Sequence, residues 1–108
     1  MGIGGSGTEA AARVLSGSVT NGSLNGNPVY ISGNFNVSVW WSAFVGTLVL
    51  ERSFDAGTTF LPVTFSDGTP VSFTAVASGT WSEPESGMLY RIRCSAWTSG
   101  TANWRISQ

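Results

Sequence analysis

The 108-residue chain contains no histidine and no lysine, and its only thiol is Cys94. Those two absences remove the usual general bases, Schiff-base amines and most transition-metal ligands, so no cofactor, metal site or enzymatic activity is expected. A single cysteine excludes an internal disulfide and gives no sign of an oxidising compartment. Charge is also scarce. Five arginines (Arg13, Arg52, Arg91, Arg93 and Arg105) and six acidic residues make up 10% of the chain, with a net charge of −1. An average soluble domain carries about 25% charged residues. A pI near 5.1 supplies no basic field for phosphates or anionic lipid headgroups, so neither nucleic acid nor membrane is expected as a partner. No apolar run approaches the roughly 20 residues of a membrane-spanning helix. The opening MGIGGSGTEAAARV lacks the basic and apolar regions of a signal peptide, which points to synthesis in a cytoplasm.

What the chain does contain is turn-forming and aromatic residues. Fourteen glycines accompany five Trp, six Phe and two Tyr, enough aromatic surface for one core. Residues 1–12, glycine-rich and then alanine-rich, read as a flexible arm, and residues 13–108 as one domain. From Arg13 onward no helical period persists, and short segments alternate apolar and polar residues between turn signals. The expected strands are Arg13 to Thr20, Val29 to Ser32, Phe35 to Trp41, Val45 to Phe54, Phe60 to Phe65 and Val71 to Val76. A short one follows around Thr80 to Ser82, ending at Glu83-Pro84, and then Met88 to Trp97 and Ala102 to Ser107. Turns every 8 to 12 residues or so predict an antiparallel immunoglobulin-like or jelly-roll β-sandwich with a flexible N-terminal arm. Leu48, Leu50, Tyr90, Ile92, Cys94, Trp104 and Ile106 are the expected core. Phe54 and Ala96 share their inward faces.

Cys94, on an inward strand face, reads as a small apolar residue and not a nucleophile. Glu83 and Glu85 flank Pro84. They are placed too close in a broken turn to act as a glycosidase pair and read as solvated turn carboxylates. Glu51 faces outward opposite Arg91 or Arg93, so a cross-strand ion pair is expected, unless the arginines instead meet a partner's carboxylate. Adjacent Trp40 and Trp41 must face opposite ways, and Trp97 shares a face with Arg91 and Arg93. Trp40, Arg91, Arg93 and Trp97 are therefore candidate interface residues, and Trp40, Trp41 and Trp97 could alternatively form a sugar platform. Met1 and Ile3, the large apolar side chains of the arm, are the candidate anchors on a neighbouring subunit.

Ser53-Phe54-Asp55-Ala56-Gly57-Thr58-Thr59-Phe60 matches the Asp-box pattern S-x-D-x-G-x-T-(W/F), which occurs at hairpins of sialidases and other β-proteins. In it Asp55 caps turn amides, Gly57 takes positive φ, and Phe60 packs back over the hairpin, with Ser53 and Thr59 completing the motif. The longer stretch Gly46 to Val63, GTLVLERSFDAGTTFLPV, resembles small virion proteins of tailed bacteriophages that carry G-T-(V/L)-x-L-x-R-S-F-D-G-G-x-T-W. Glu83 to Cys94 and Ser99 to Gln108 are similar to the same group, so the resemblance runs from Gly46 to the C-terminus. Ala56 and Phe60 depart from it, where the group has Gly and Trp. The resemblance implies a non-enzymatic β-sandwich component of the virion, with the major capsid protein or another virion protein as partner and a homo-oligomeric arrangement on a symmetric lattice. A capsid decoration (cement) protein is the favoured position. A head fibre base, a tail or neck part, and a carbohydrate-binding module remain open.

Overall fold

The apolar–polar alternation read from the sequence becomes an all-β, antiparallel structure. The computed structural model describes residues 13–22 and 25–108, and every regular element among them is a strand. The expected arm, with Met1 and Ile3, lies outside the described residues. The strands are β1 (Val14–Val19), β2 (Val29–Trp40), β3 (Val45–Ser53), β4 (Leu61–Pro62), β5 (Ser72–Phe73), β6 (Ala77–Ser99) and β7 (Ala102–Ser107). They pair in the order β1-β7-β2-β6-β3-β4, with β5 also on β3, and every pairing is antiparallel.

The long β6 serves two layers. Its first half, from Ala77, runs beside β2, and its second half, from Leu89, runs beside β3. The layers close face to face over one core. Phe73 of β5 packs edge-on against Trp81 in the first half of β6, at 6.4 Å between centroids. Phe35 of β2 lies 4.6 Å from Tyr90 in the second half. The result is sandwich-like, with all seven of the expected core residues buried. They are joined by Ile31, Phe35, Val37 and Val39 of β2 and by Val71, Phe73 and Met88. Trp104 sits between two glycines: a Cβ at Gly17 or Gly26 would stand 2.7 or 2.5 Å from its Cζ2. Close approach of the ring to both backbones therefore requires residues without side chains.

The strands expected at Val29 to Ser32 and Phe35 to Trp41 are one, β2, and four further expectations about the strands need correction. The short strand near Thr80 to Ser82 and the strand from Met88 are one strand, β6, interrupted by a register jump. Gly33 pairs with Glu83 and Ile31 with Met88, so five steps on β6 match two on β2. The three extra residues invert the phase. Odd-numbered residues face the core before the jump and even-numbered ones after it, as expected for a period of two. Second, the strands expected at Phe60 to Phe65 and Val71 to Val76 shrink to the two-residue β4 and β5. Pro62 and Pro70 lack the N–H that a longer ladder needs. Third, Phe54 lies beyond the end of β3 and is 61% exposed. Fourth, Ala96 is exposed because a second register shift, opposite Thr47 and Leu48, takes it off the inward face.

Cys94 is 1% exposed, and burial raises the pKa of its thiol. Both effects suppress the reactive thiolate. Labelling with a thiol reagent is expected to be at least about 100-fold slower in the native protein than in denaturant, since modification must wait for opening. Labelling at the same rate in both would show that β6 is wrongly placed.

Candidate functional site

Ser53 ends β3 facing away from the core, yet it is fully buried because the following loop folds over it. Its Oγ donates to Asp55 Oδ1 (2.8 Å) and accepts from the amide of Gly57 (2.9 Å). Asp55 Oδ1 also accepts from the amide of Thr59 at 2.8 Å. These bonds hold the Asp55 carboxyl below its usual range, led by the Thr59 amide. The turn needs two left-handed residues, Ala56 at φ 60° and Gly57 at φ 95°. The Ser53 hydroxyl and Asp55 Oδ1 are thus both engaged within the hairpin, which leaves a compact turn and no open ligand position on Asp55 Oδ1.

The same loop covers the outer face of β3 and β6. Arg91 lies 3.7 Å over the ring of Phe60, and Gly57 comes down near the side chain of Leu89. Beneath them Glu51 is buried, not outward-facing in solvent as the alternation suggested. Arg91 donates to Glu51 Oε1 at 2.8 Å through Nε and stands 2.8 Å away through a terminal nitrogen. Arg93 approaches Oε2 at 3.6 Å. The expected cross-strand ion pair is present. It forms the hub of a small covered cluster, where the desolvated guanidinium gains from both the carboxylate and the aromatic face.

Glu83 is the largest departure from the sequence reading. It is 2% exposed and points into the core, while Glu85 alone is a solvated carboxylate. Four donors meet the Glu83 carboxylate. Arg52 binds it through Nε and, at 2.9 Å, through a terminal nitrogen. Tyr90 donates its hydroxyl at 2.7 Å, and the amide of Glu85 donates at 2.9 Å. No buried side-chain nitrogen or oxygen among the described residues lacks a partner. Arg52 above all lowers the Glu83 pKa to about 2, against the opposing effect of burial. Burial and the neighbouring carboxylate in turn raise the pKa of Tyr90. A signal for this cluster was present in the sequence: Arg52 shares a face with Leu48 and Leu50, and an inward cation requires an anion.

The candidate aromatics separate. Trp97 is 38% exposed, and its Nε1 donates to the carbonyl of Gly100 at 2.9 Å, closing the β6–β7 turn. Trp41 is half-buried against Phe44. Trp40 is 46% exposed at the end of β2, on the outer face of the first layer. That face is built of Ser16 and Ser18, Asn103 and Arg105, Asn36 and Ser38, and Ser78 and Thr80, in register across four strands. Comparison with protein-family models, curated proteins and solved structures finds no match to this chain. The structure thus brings Arg91 and Arg93 together around Glu51, whereas the register shift that turns Ala96 outward pairs Trp97 with Gly46 and takes it off the face it was expected to share with them. Among the described residues no three His, Cys, Asp or Glu side chains converge as metal ligands.

Replacing Gly57 with alanine should cost more than about 1 kcal/mol, because φ 95° strains any residue with a Cβ. Ala56→Gly should instead stabilise by up to about 1 kcal/mol, since alanine at φ 60° already carries left-handed strain. Chemical denaturation measures both. A neutral Gly57→Ala together with a destabilising Ala56→Gly would refute this account of the turn.

Glu83 also gives the fold a pH dependence. Its folded pKa lies below the ordinary 4.5, so its contribution is complete above that value and is lost as pH falls toward about 2. A shift of this size in a buried carboxylate corresponds to a few kcal/mol. Between pH 5 and 2 the wild type should therefore lose more stability than Glu83→Gln, which is already destabilised at pH 7. Parallel losses in the two proteins would show that Glu83 is not the titrating group.

Proposed function

We propose that the chain is a non-enzymatic structural protein of a tailed-phage virion, which attaches to the outer capsid surface as a decoration protein. The observation that carries this reading is the resemblance from Gly46 to Gln108. In keeping with it, three acidic side chains are engaged in internal bonds: Glu83 with Arg52 and Tyr90, Glu51 with Arg91, and Asp55 within its hairpin. The exposed surface bears little charge and several large apolar side chains. Val45, Phe54, Leu61, Phe65 and Val76 are each at least half exposed. Such groups suit contact with another protein better than free solution. The partner under this reading is the major capsid protein or another virion protein, and the site of action is the assembled particle.

A second reading, sugar binding, is favoured by one observation. Trp40 stands exposed on an outer sheet face whose other side chains are mostly Ser, Thr and Asn, with Arg105 and the exposed Val14 among them. A flat indole beside neutral hydroxyl and amide groups matches the stacking and hydrogen-bonding demands of a neutral glycan.

Co-sedimentation with purified empty phage capsids tests the first reading, and a glycan array tests the second. Saturable co-sedimentation that survives Trp40→Ala is expected. Absence of capsid binding, with glycan binding abolished by Trp40→Ala, would overturn the decoration reading in favour of the second.

A further inference from the structure

The two borders of the sheet are built in opposite ways. On one side β3 is flanked by the two-residue β4 and β5, with Pro62 and Pro70 beside them. Very short strands and prolines blunt an edge against further pairing. On the other side lies β1, six residues long, with the sequence VLSGSV and neither charge nor proline. Among the described residues no strand lies beyond it.

The groups on this edge that have no partner among the described residues can be named. Arg13 and Gln108 exchange two backbone hydrogen bonds, of 3.1 and 2.8 Å. They form a hydrogen-bonded pair, and the β1–β7 register continues without a break from Val14↔Ser107 to Val19↔Ala102. Antiparallel ladders alternate, so Leu15, Gly17 and Val19 also bond to β7, while Val14, Ser16 and Ser18 turn their N–H and C=O groups away from it. Three donors and three acceptors line this edge, which is open among the described residues, with Ser16 at their centre.

We propose that this edge pairs with β1 of a second copy of the chain, antiparallel across a two-fold axis at Ser16, to make one sheet continuous through the dimer. Val14 then faces Ser18 of the other copy and Ser16 faces Ser16. All six outward groups are satisfied, with two hydrogen bonds for each facing pair. Leu15, half-buried in the single chain, comes opposite Gly17 of the second copy. Self-pairing is favoured over pairing with a foreign strand because the edge is its own complement. No charged side chain between Val14 and Val19 meets its like across the axis, and a net charge of −1 opposes association only weakly. This dimer does not depend on the virion reading, and either could fail alone.

Analytical ultracentrifugation of the full chain is the test. The wild type is expected to sediment as a dimer at micromolar concentration. Ser16→Pro is expected to be monomeric with an unchanged circular dichroism spectrum, because the Ser16 N–H makes no bond to β7. Disulfide trapping gives an independent reading should the proline variant fail to fold. In a Cys94→Ser background, Ser16→Cys should cross-link between copies, since facing Cα atoms of a hydrogen-bonded pair lie about 5.5 Å apart. Ser18→Cys should not, because its two copies would be about 13 Å apart along the strands. A monomeric wild type, a folded Ser16→Pro that remains dimeric, or equal cross-linking at both positions would each overturn the proposal. So would a wild type that dimerises only after removal of residues 1–12, which would assign the edge to the chain's own N-terminal segment.

Discussion

One carboxylate sits where the two layers of this fold meet. Glu83 is the last core-facing residue of β6 before the register jump, and its four donors come from within the jump and from beyond it. Arg52 belongs to the second layer, Tyr90 is the second core-facing residue after the jump, and the Glu85 amide lies within it. An unpaired buried carboxylate is among the most costly groups a small domain can carry. The cluster is therefore satisfied only when β3, both halves of β6 and the jump occupy their observed places together. Replacement of such a group by apolar residues need not reduce stability, but loss of a single partner would. Glu83 thus specifies the arrangement more than it adds to its strength.

The alternation in β2, β3, the second half of β6 and β7 was legible in the sequence because each of these strands has one apolar face. Leu48, Leu50, Ile92, Cys94 and Ile106 follow it without exception. What escaped was the phase inversion between Glu83 and Met88. Pro84, Ser86 and Gly87 look like an ordinary turn, and a turn would have placed Glu83 in solvent. Only the pairing with β2 reveals that the chain steps sideways and continues in the same direction. Likewise, nothing in the period-two pattern of β3 shows that Glu51 and Ser53 are covered. Their burial comes from a loop that folds back over the outer face, and such coverage is a tertiary effect that local alternation does not encode.

A sparing use of charge runs through the molecule. Arg13 donates to the carbonyl of Tyr30, Arg52 binds Glu83, and Arg91 and Arg93 meet Glu51. Four of the five cations thus act within the fold. The Asp-box-like hairpin follows the same economy, with its serine and aspartate spent on turn amides. The surface left over is mostly Ser, Thr, Asn and scattered apolar residues, lacking the charges that usually keep sheet edges and faces apart.

The Glu83 cluster joins the two layers into one cooperative unit. Native-state amide exchange tests it directly by comparing Val37 and Ile106 in the first layer with Leu50 and Ile92 in the second. In the wild type both groups should open with the same, global free energy. In Glu83→Gln the second layer should open separately and at lower cost than the first. If the two layers exchange together in the variant as they do in the wild type, the core alone unites them and the claim is wrong.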